Sequence, residues 1–156
     1  MEFRIGYGED AHRLSSGLPL WIGGFCIEKS PHGAVAHSDG DALLHALSDA
    51  LLSAVAQGDI GQHFPDTDER WKNMSSTIIL KHCLHLVAQA GYGICNVSGV
   101  VTLDVPKLNP SRTEIVDVLS KILDLSENQL GLTFKTSEGL ATGHIQARVT
   151  VLLGKL

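Results

Sequence analysis

The nine residues from His37 to His45 change abruptly in character, and they constrain the fold more than any other segment. Their first half is polar, reading His-Ser-Asp-Gly-Asp, whereas the second half opens a long run rich in leucine and alanine. This run predicts a helix over 41–57, with an apolar arc broad enough to pack on a sheet. The first backbone N–H groups of a helix have no partner within it, so the start of this helix can bind an anion such as a phosphate.

Three polar side chains of this helix, Asp41, His45 and Asp49, recur at intervals of four residues and therefore share one face. One interpretation is functional, with a phosphate at the helix start and His45 as a metal ligand one turn further along. The other is that a capped amphipathic helix exposes its polar side, as surface helices usually do. The segment by itself leaves both interpretations open.

A strand predicted over Phe3–Gly8 leads directly into a second polar segment, Glu9–Arg13. Alternate residues of an extended chain share a face, so Asp10 and His12 point in the same direction. An Asp-x-His pair at a strand end can supply two ligands to a divalent metal, and His45 is the candidate for the third. The alternative is an ordinary surface turn after a strand.

The remaining periodicity and turn residues predict a two-layer fold. Two short strands lie within 18–28, a loop covers 30–36, helices cover 75–90 and 111–123, and strands cover 94–105, 130–136 and 145–153. This order predicts an α+β two-layer sandwich, with a mixed or antiparallel sheet and helices on one face. Residues 1–156 are expected to form a single domain with a proper core.

Composition and charge exclude several classes of protein. The formal net charge of −5 argues against a general nucleic-acid surface, and no run of about 18 apolar residues is present to span a membrane. The N-terminus lacks the basic and apolar regions of a secretory signal. Cys26, Cys83 and Cys95 form no C-x-x-C pair, so we expect reduced thiols and a cytoplasmic location.

Polar residues also gather at three further element ends, where binding groups tend to lie. In the loop 58–68, Asp59 can support the shell of a metal and Asp66 can accept hydrogen bonds from sugar hydroxyls. Lys107 is a single cation in a turn with two prolines, and 135–138 adds hydroxyls and one carboxylate. Each segment alone is also explained as an ordinary connection between elements.

The polar segments form six motifs in a fixed order: Asp10-x-His12, His37-Ser-Asp-Gly-Asp-x-x-x-His45, Gly58-Asp-Ile-Gly, Phe64-Pro-Asp-Thr-Asp68, Pro106-Lys107 and Thr136-x-Glu138. In this order and spacing, the chain resembles the 2-C-methyl-D-erythritol 2,4-cyclodiphosphate synthase family of the non-mevalonate isoprenoid pathway. The second and fourth motifs together are highly specific. The resemblance runs from about Ile5 to Leu153, nearly the whole chain.

The resemblance implies a ferredoxin-like α+β subunit that works as a homotrimer, with active sites between neighbouring subunits. It also implies a metal-dependent cyclising lyase. Such an enzyme converts 4-CDP-2-C-methyl-D-erythritol 2-phosphate into 2-C-methyl-D-erythritol 2,4-cyclodiphosphate and CMP. The location implied is the cytoplasm, or the plastid stroma if a transit peptide has been removed.

Two metal sites follow from the resemblance. Asp10, His12 and His45 match residues that hold Zn²⁺, and another divalent transition metal is also compatible with such ligands. The fourth position of this site is left to a phosphate oxygen of the substrate. Glu138 matches a residue that holds a second divalent ion, Mg²⁺ or Mn²⁺, between the two phosphorus centres of the diphosphate.

The resemblance further implies catalytic and binding roles. His37 and Thr136 match residues that stabilise the transition state. The substrate and cytidine pockets are implied to be lined by ten residues: Ser38, Asp59, Gly61, Phe64, Asp66, Asp68, Lys107, Leu108, Lys135 and Ser137.

The chain departs from the family pattern after Glu138. The loop Gly139–Ile145 is shorter than usual and carries His144 where an arginine is common. In some family members this region lines a central trimer cavity that holds an isoprenoid diphosphate, and we do not expect the same binding here. Lys135 replaces a small hydroxyl residue, and its added cation either tightens substrate binding beside the phosphates or simply reaches solvent.

Two other functions use the same ligands. A zinc-dependent hydrolase of phosphate or diphosphate esters would use Asp10, His12 and His45 to aim a metal-bound water at phosphorus. The second alternative is non-catalytic, with these residues forming either a structural metal site or a polar surface in an oligomeric binding module. Structural zinc sites prefer four protein ligands, commonly cysteines, and the three cysteines here lie outside every polar segment.

Overall fold

The structure is a computed structural model that describes residues 2–156. The strands are β1 (Phe3–Ser16), β2 (Trp21–Ile22), β3 (Phe25–Cys26), β4 (His32–Ala34), β5 (Tyr92–Thr102), β6 (Leu130–Lys135) and β7 (His144–Lys155). The α-helices are α1 (Ala42–Ala54), α2 (Ile60–His63), α3 (Ser76–Gln89) and α4 (Arg112–Leu123). Short 3-10 turns lie at Glu69–Trp71, Asn109–Ser111 and Glu127–Gln129.

One layer of the fold is a five-stranded sheet in the order β4-β1-β7-β5-β6. β5 and β6 run parallel, whereas the other neighbouring strands pair antiparallel. Helix α1 packs on β1 and β7, α3 packs on α1 and β5, and α4 packs near β6. The predicted α+β sandwich with a mixed sheet is therefore confirmed, while the single domain over 1–156 stays a prediction.

Helix α1 forms the centre of the core. Eleven of its 13 residues are buried, because the sheet covers one side and α3 covers another. His45 is among them, with only 6% of its surface exposed. The polar face of this helix is therefore turned into the protein, which is unlike the solvent-facing stripe of a surface helix.

Two glycines of β1 allow α1 to approach the sheet closely. A Cβ atom at Gly6 would lie 1.8 Å from the carbonyl oxygen of Ala50, and one at Gly8 would lie 2.2 Å from that of Ala46. Any side chain at these positions would push the helix outward. Asp10, which follows on the same face of β1, is thereby brought beside the first turn of α1.

Strand β1 is longer than the sequence predicted. It continues past Gly8 to Ser16, because Arg13 pairs with His144 on β7 and Leu14 pairs with Ala34 on β4. The prediction of a loop over 30–36 was wrong for the same reason, since β4 forms on the edge that β1 offers. Polar residues within β1 gave no local signal of this pairing.

The face of the sheet opposite the helices is open in the single chain. Phe3, Ile5 and Tyr7 project from β1 on this face and are 51%, 72% and 51% exposed. They form a contiguous apolar stripe, since they alternate with the buried Gly6 and Gly8. Within residues 2–156, the helices are all too short or too polar to cross a bilayer.

Candidate active site

The three predicted metal ligands converge beside β1. Asp10 and His12 project from alternate positions of the strand, and His45 projects from α1. Asp10 Oδ2 lies 2.5 Å from His12 Nε2 and 3.1 Å from His45 Nδ1, and these two nitrogens are 3.3 Å apart. His45 is buried and the other two are partly buried, so the three ligand atoms face one protected point.

The electrostatics of this cluster keep its carboxylate charged. Burial alone would raise the pKa of Asp10, but hydrogen bonds and charges from His12 and His45 outweigh burial and lower that pKa. Burial also opposes a charge on His45, whereas Asp10 raises the pKa of that imidazole. The cluster is therefore an anionic site in which a bound cation and protons on the imidazoles compete.

The donor set suits a divalent transition metal. Two imidazole nitrogens and one carboxylate oxygen lie within 4.8 Å of one another. Catalytic zinc sites typically use three such ligands and leave one position open, whereas structural sites are closed by four. None of the three free cysteines belongs to this group within residues 2–156. The ligands present fit an open site, although three such ligands do not define which metal binds.

His45 is held on its other edge by two hydroxyl groups. Its Nε2 atom lies 2.8 Å from Ser76 Oγ and 3.0 Å from Ser38 Oγ. The Ser76 hydroxyl also makes a short hydrogen bond to Asp39. Sequence reasoning assigned Ser76 only to a helix start, because the 31 residues that separate it from His45 hide the contact.

The start of α1 is closed by its own carboxylate. Asp41 is fully buried, and its side chain accepts hydrogen bonds from the backbone N–H groups of Leu44, Gly23 and Gly24 at 2.7–3.0 Å. Of the two interpretations that the sequence left open for this helix start, the structure favours the capped helix, because the Asp41 carboxylate occupies the position that a phosphate would take. Asp49 accepts a hydrogen bond of 2.8 Å from Ile60 N–H and so ties α1 to α2.

A pocket of about 390 Å³ opens beside the metal ligands. Eight residues predicted to be functional line it: Asp10, His12, His37, Ser38, His45, Gly61, Phe64 and Asp66. Apolar residues from several elements complete the wall, among them Val35, Ile60, Met74 and Ile79. Phe64 directly follows helix α2, whose first residue is anchored to Asp49, so this anchor helps to hold the loop against the pocket.

Two nitrogen atoms on the pocket wall have no hydrogen-bond partner among residues 2–156. They are Nε2 of His37 and Nε1 of Trp71, and both atoms are buried. An indole nitrogen can only donate, so Trp71 keeps one unused donor beside the pocket. Sequence reasoning missed Trp71. Its signal was an aromatic residue placed three positions after the Phe-Pro-Asp-Thr-Asp motif.

Two other predicted site residues stabilise the loop instead of lining the pocket. Asp59 caps α2 by accepting a hydrogen bond of 3.0 Å from Gln62 N–H, and it is exposed. Asp68 caps the next 3-10 turn and binds the guanidinium of Arg70 at 2.6–3.0 Å. Asp59 makes no hydrogen bond to the metal ligands in the described part of the chain, so the suggested support of the metal shell is not observed.

The remaining predicted residues form a second cluster after β5 and β6. Ser137 donates a hydrogen bond of 2.7 Å to Asp104, and this contact lowers the pKa of that carboxyl group. Thr136 Oγ1 lies 3.1 Å from a carboxylate oxygen of Glu138, which is exposed and has a positive φ of 55°. Lys107, three residues after Asp104, is exposed. Asp104 was not among the site residues predicted from the sequence.

Two further predicted residues near this second cluster, Lys135 and Leu108, make no side-chain contact with it among the hydrogen bonds described above. The Lys135 side chain is exposed at the end of β6. Leu108 has 4% of its surface exposed, so its side chain packs in the core and only its backbone can meet a ligand. The cluster thus offers a hydroxyl, a carboxylate and cations at one sheet edge.

The two clusters lie at the same end of the sheet but far apart. Asp10 pairs with Ala147 on β7, Ala147 pairs with Val101 on β5, and Val101 pairs with Phe134 on β6. Two strand spacings of about 4.8 Å separate β1 from β5 and three separate it from β6, so the strands that lead to the two clusters lie about 10–14 Å apart. One chain therefore presents two separate halves of the predicted site.

The chain is similar to known proteins over nearly its whole length. Residues 3–154 match the family model described as the YgbB family. A Thermus thermophilus protein named 2-C-methyl-D-erythritol 2,4-cyclodiphosphate synthase is 58% identical over 150 residues, covering 96% of this chain and 98% of its own length. A Deinococcus radiodurans protein of the same name is 58% identical over 156 residues, covering 100% of this chain and 97% of its own length.

Solved structures agree with the sequence comparison. One described as 2C-methyl-D-erythritol-2,4-cyclodiphosphate synthase is 58% identical, covers 97% of this chain and 100% of its own, and superposes with a TM-score of 0.93. A CDP-bound form of such a synthase is 56% identical and also has a TM-score of 0.93. The resemblance inferred from the motifs is thus confirmed, and the chain belongs to the YgbB family of 2-C-methyl-D-erythritol 2,4-cyclodiphosphate synthases.

Proposed function

We propose that the chain is a phosphorus-oxygen lyase that converts 4-CDP-2-C-methyl-D-erythritol 2-phosphate into 2-C-methyl-D-erythritol 2,4-cyclodiphosphate and CMP. The observation that supports this most directly is the three-ligand cluster of Asp10, His12 and His45 at the side of the pocket. Relatives of 58% identity carry the name of this enzyme. The product is a precursor in isoprenoid biosynthesis.

The reaction requires positioning more than acid–base chemistry. An oxygen of the 2-phosphate forms a bond to the β-phosphorus, while the bond from that phosphorus to the bridging oxygen breaks and CMP leaves with the electron pair. A phosphate monoester has a second pKa near 6, so the attacking group is already anionic at neutral pH. Phosphoryl transfer is promoted mostly by alignment and charge stabilisation. The pocket accordingly needs no serine or cysteine nucleophile.

Asp10, His12 and His45 would hold Zn²⁺ or a similar ion in this proposal. Such an ion would neutralise and polarise a phosphate oxygen at its open position. The unpartnered nitrogens of His37 and Trp71 would donate hydrogen bonds to substrate oxygens, and Asp66 would accept hydrogen bonds from sugar hydroxyls. These groups line the pocket that the metal ligands border, so they can orient the methylerythritol phosphate.

The second cluster would serve the diphosphate and cytidine. Glu138 would hold Mg²⁺ or Mn²⁺, since magnesium commonly takes few carboxylates and completes its shell with phosphates and waters. Thr136, Ser137 and the cations Lys107 and Lys135 would stabilise the charge that develops toward CMP. Asp104 would fix this loop through its hydrogen bonds to Ser137.

A homotrimer would bring the two clusters together. Within one chain the strands that carry them are two to three strand spacings apart, and a neighbouring subunit that supplies one half would shorten the distance that the substrate has to span. The apolar stripe Phe3, Ile5 and Tyr7 supports association, because such a patch is typical of an interaction surface. The three free cysteines support the proposed cytoplasmic location.

A product assay tests the proposal against the hydrolase alternative. The CDP-linked substrate is incubated with the protein, Zn²⁺ and Mg²⁺, and the products are identified by phosphorus NMR. We expect CMP together with a cyclic diphosphate for the wild type, and loss of turnover for His45→Ala. His85→Ala removes an exposed histidine of α3 outside the pocket and should retain full activity.

Two results would contradict this function. Release of CMP with an open-chain phosphate would establish the hydrolase. Cyclisation at an unchanged rate by His45→Ala, in protein stripped of metal with a chelator, would remove the metal ligands from the reaction.

A further inference from the structure

A continuous set of hydrogen bonds runs from His45 to a carboxylate that lies outside the metal ligands. Ser76 is fully buried at the start of α3, and its Oγ atom contacts both His45 Nε2, at 2.8 Å, and Asp39 Oδ1. The second oxygen of Asp39 accepts a hydrogen bond of 2.8 Å from Ser76 N–H. Asp39 is thus fixed against the start of α3 by both groups of Ser76.

The direction of each hydrogen bond follows from the number of protons available. A carboxylate can only accept, so the single hydroxyl proton of Ser76 is donated to Asp39. The Ser76 oxygen can then only accept from His45, which requires a proton on Nε2. When His45 is neutral, its Nδ1 atom consequently carries a lone pair, and the Asp10 oxygen that faces it accepts from His12 Nε2 at 2.5 Å instead. This Nδ1 atom is the one that faces Asp10 Oδ2 and His12 Nε2.

We propose that Ser76, backed by Asp39, is a positioning residue that selects the His45 tautomer with a bare Nδ1 and holds this atom toward the metal position. The part of this inference that concerns metal affinity rests on the proposed function. The part that concerns the tautomer does not, because it describes the protein without metal.

Ser38 cannot replace Ser76 in this role. Its hydroxyl lies 3.0 Å from His45 Nε2, but it donates to no carboxylate, so its proton is free to point at the imidazole or away from it. Only the contact of Ser76 with Asp39 forces the polarity. Histidine ligands are commonly oriented in this way through the ring nitrogen that does not bind the metal, and loss of the orienting partner typically weakens binding by about 10–100-fold.

The first test measures Zn²⁺ affinity by competition with a chelator. Ser76→Ala should weaken the affinity by about 10-fold or more. Ser48→Ala is the matched control, because it removes an equally buried hydroxyl, on α1, that is not hydrogen-bonded to His45. Ser76→Thr keeps the hydroxyl and should recover most of the affinity. An affinity for Ser76→Ala equal to that of Ser48→Ala would overturn the role in metal binding.

The second test reads the tautomer directly by nitrogen-15 NMR of the imidazoles in metal-free protein, at a pH at which His45 is neutral. The His45 signals are assigned by their absence in His45→Gln. In the wild type we expect Nδ1 to show the shift of a bare nitrogen and Nε2 that of a protonated one. A protonated Nδ1 in the wild type would overturn the proposal, and this measurement requires no variant of Ser76.

Asp39→Asn gives a further readout. An amide at this position can donate to Ser76 Oγ, which frees the hydroxyl proton to point at His45, so the population with protonated Nδ1 should rise. An unchanged tautomer in both Ser76→Ala and Asp39→Asn would contradict the inference. If the wild type binds no Zn²⁺ but shows the expected tautomer, the proposed metal function fails while the positioning role of Ser76 stands.

Discussion

At the scale of single residues, the pocket contains a donor that the sequence motifs do not include. Trp71 packs edge-on against Phe64, with ring centroids 5.2 Å apart, and both residues line the pocket. The indole nitrogen of Trp71 is buried without a partner among residues 2–156. An unpaired buried donor is costly, so a ligand oxygen that accepts from it gains binding energy.

Trp71→Phe should therefore weaken substrate binding without disturbing the fold. Phenylalanine keeps the aromatic contact with Phe64 but removes the donor, and loss of one such hydrogen bond costs about 1 kcal/mol, or roughly a fivefold rise in KM. Steady-state kinetics and thermal melting measure the two effects. Trp21→Phe changes the tryptophan on β2, which lies outside this pocket, and serves as the control. Equal KM values for the two variants would exclude a substrate contact at Trp71.

At the scale of elements, the site depends on how closely α1 approaches β1. Alanine residues on the helix and glycine residues on the strand leave almost no space between the two backbones. Close packing transmits small displacements, because interiors have few voids to absorb them. The distance of 3.1 Å between His45 Nδ1 and Asp10 Oδ2 is set by this contact.

Gly8→Ala should separate the two elements and damage the metal site. The new Cβ would lie 2.2 Å from the Ala46 carbonyl oxygen, so α1 must shift, at a cost of about 1–3 kcal/mol in the free energy of unfolding. Denaturant unfolding and Zn²⁺ titration should both register the change. Gly143→Ala is the control, because no atom lies within 4 Å of the Cβ that alanine would add, and it should match the wild type. Wild-type stability in Gly8→Ala would show that the helix does not depend on this glycine.

At the scale of the whole molecule, the single chain presents a divided site and an uncovered sheet face. Both features have the same explanation if neighbouring subunits cover the face and complete the site. The stripe Phe3, Ile5 and Tyr7 lies on β1, the strand that also carries Asp10. Association through this face would therefore place another chain next to β1, the strand that carries Asp10 and His12.

Ile5→Glu should disrupt this association and abolish turnover together. Ile5 is 72% exposed in the single chain, so a charge there is tolerated by the isolated fold but not by an apolar interface. Sedimentation analysis should show three chains for the wild type and a smaller species for the variant. Ile78→Glu, at a residue of α3 that is 53% exposed, should retain the trimer. An active trimer formed by Ile5→Glu would rule out this face as the interface.

The sequence by itself determined the long helices, most of the strands and the candidate metal ligands. The spacing of apolar residues and the positions of turn residues predicted α1, α3 and α4, because an amphipathic pattern depends only on neighbours along the chain. The spacing of Asp10 and His12 placed both side chains on one strand face, and the motif order indicated the family. The roles of the individual pocket residues stay predictions.

Only the tertiary structure decided which distant groups meet. The length of β1 depended on pairing with β4 and β7, the capping of α1 by Asp41 involved the distant Gly23-Gly24 turn, and the contact of Ser76 with His45 joined two helices. The division of the site into two clusters followed from the strand order. Such contacts arise from packing across the chain, and local sequence carries no record of them.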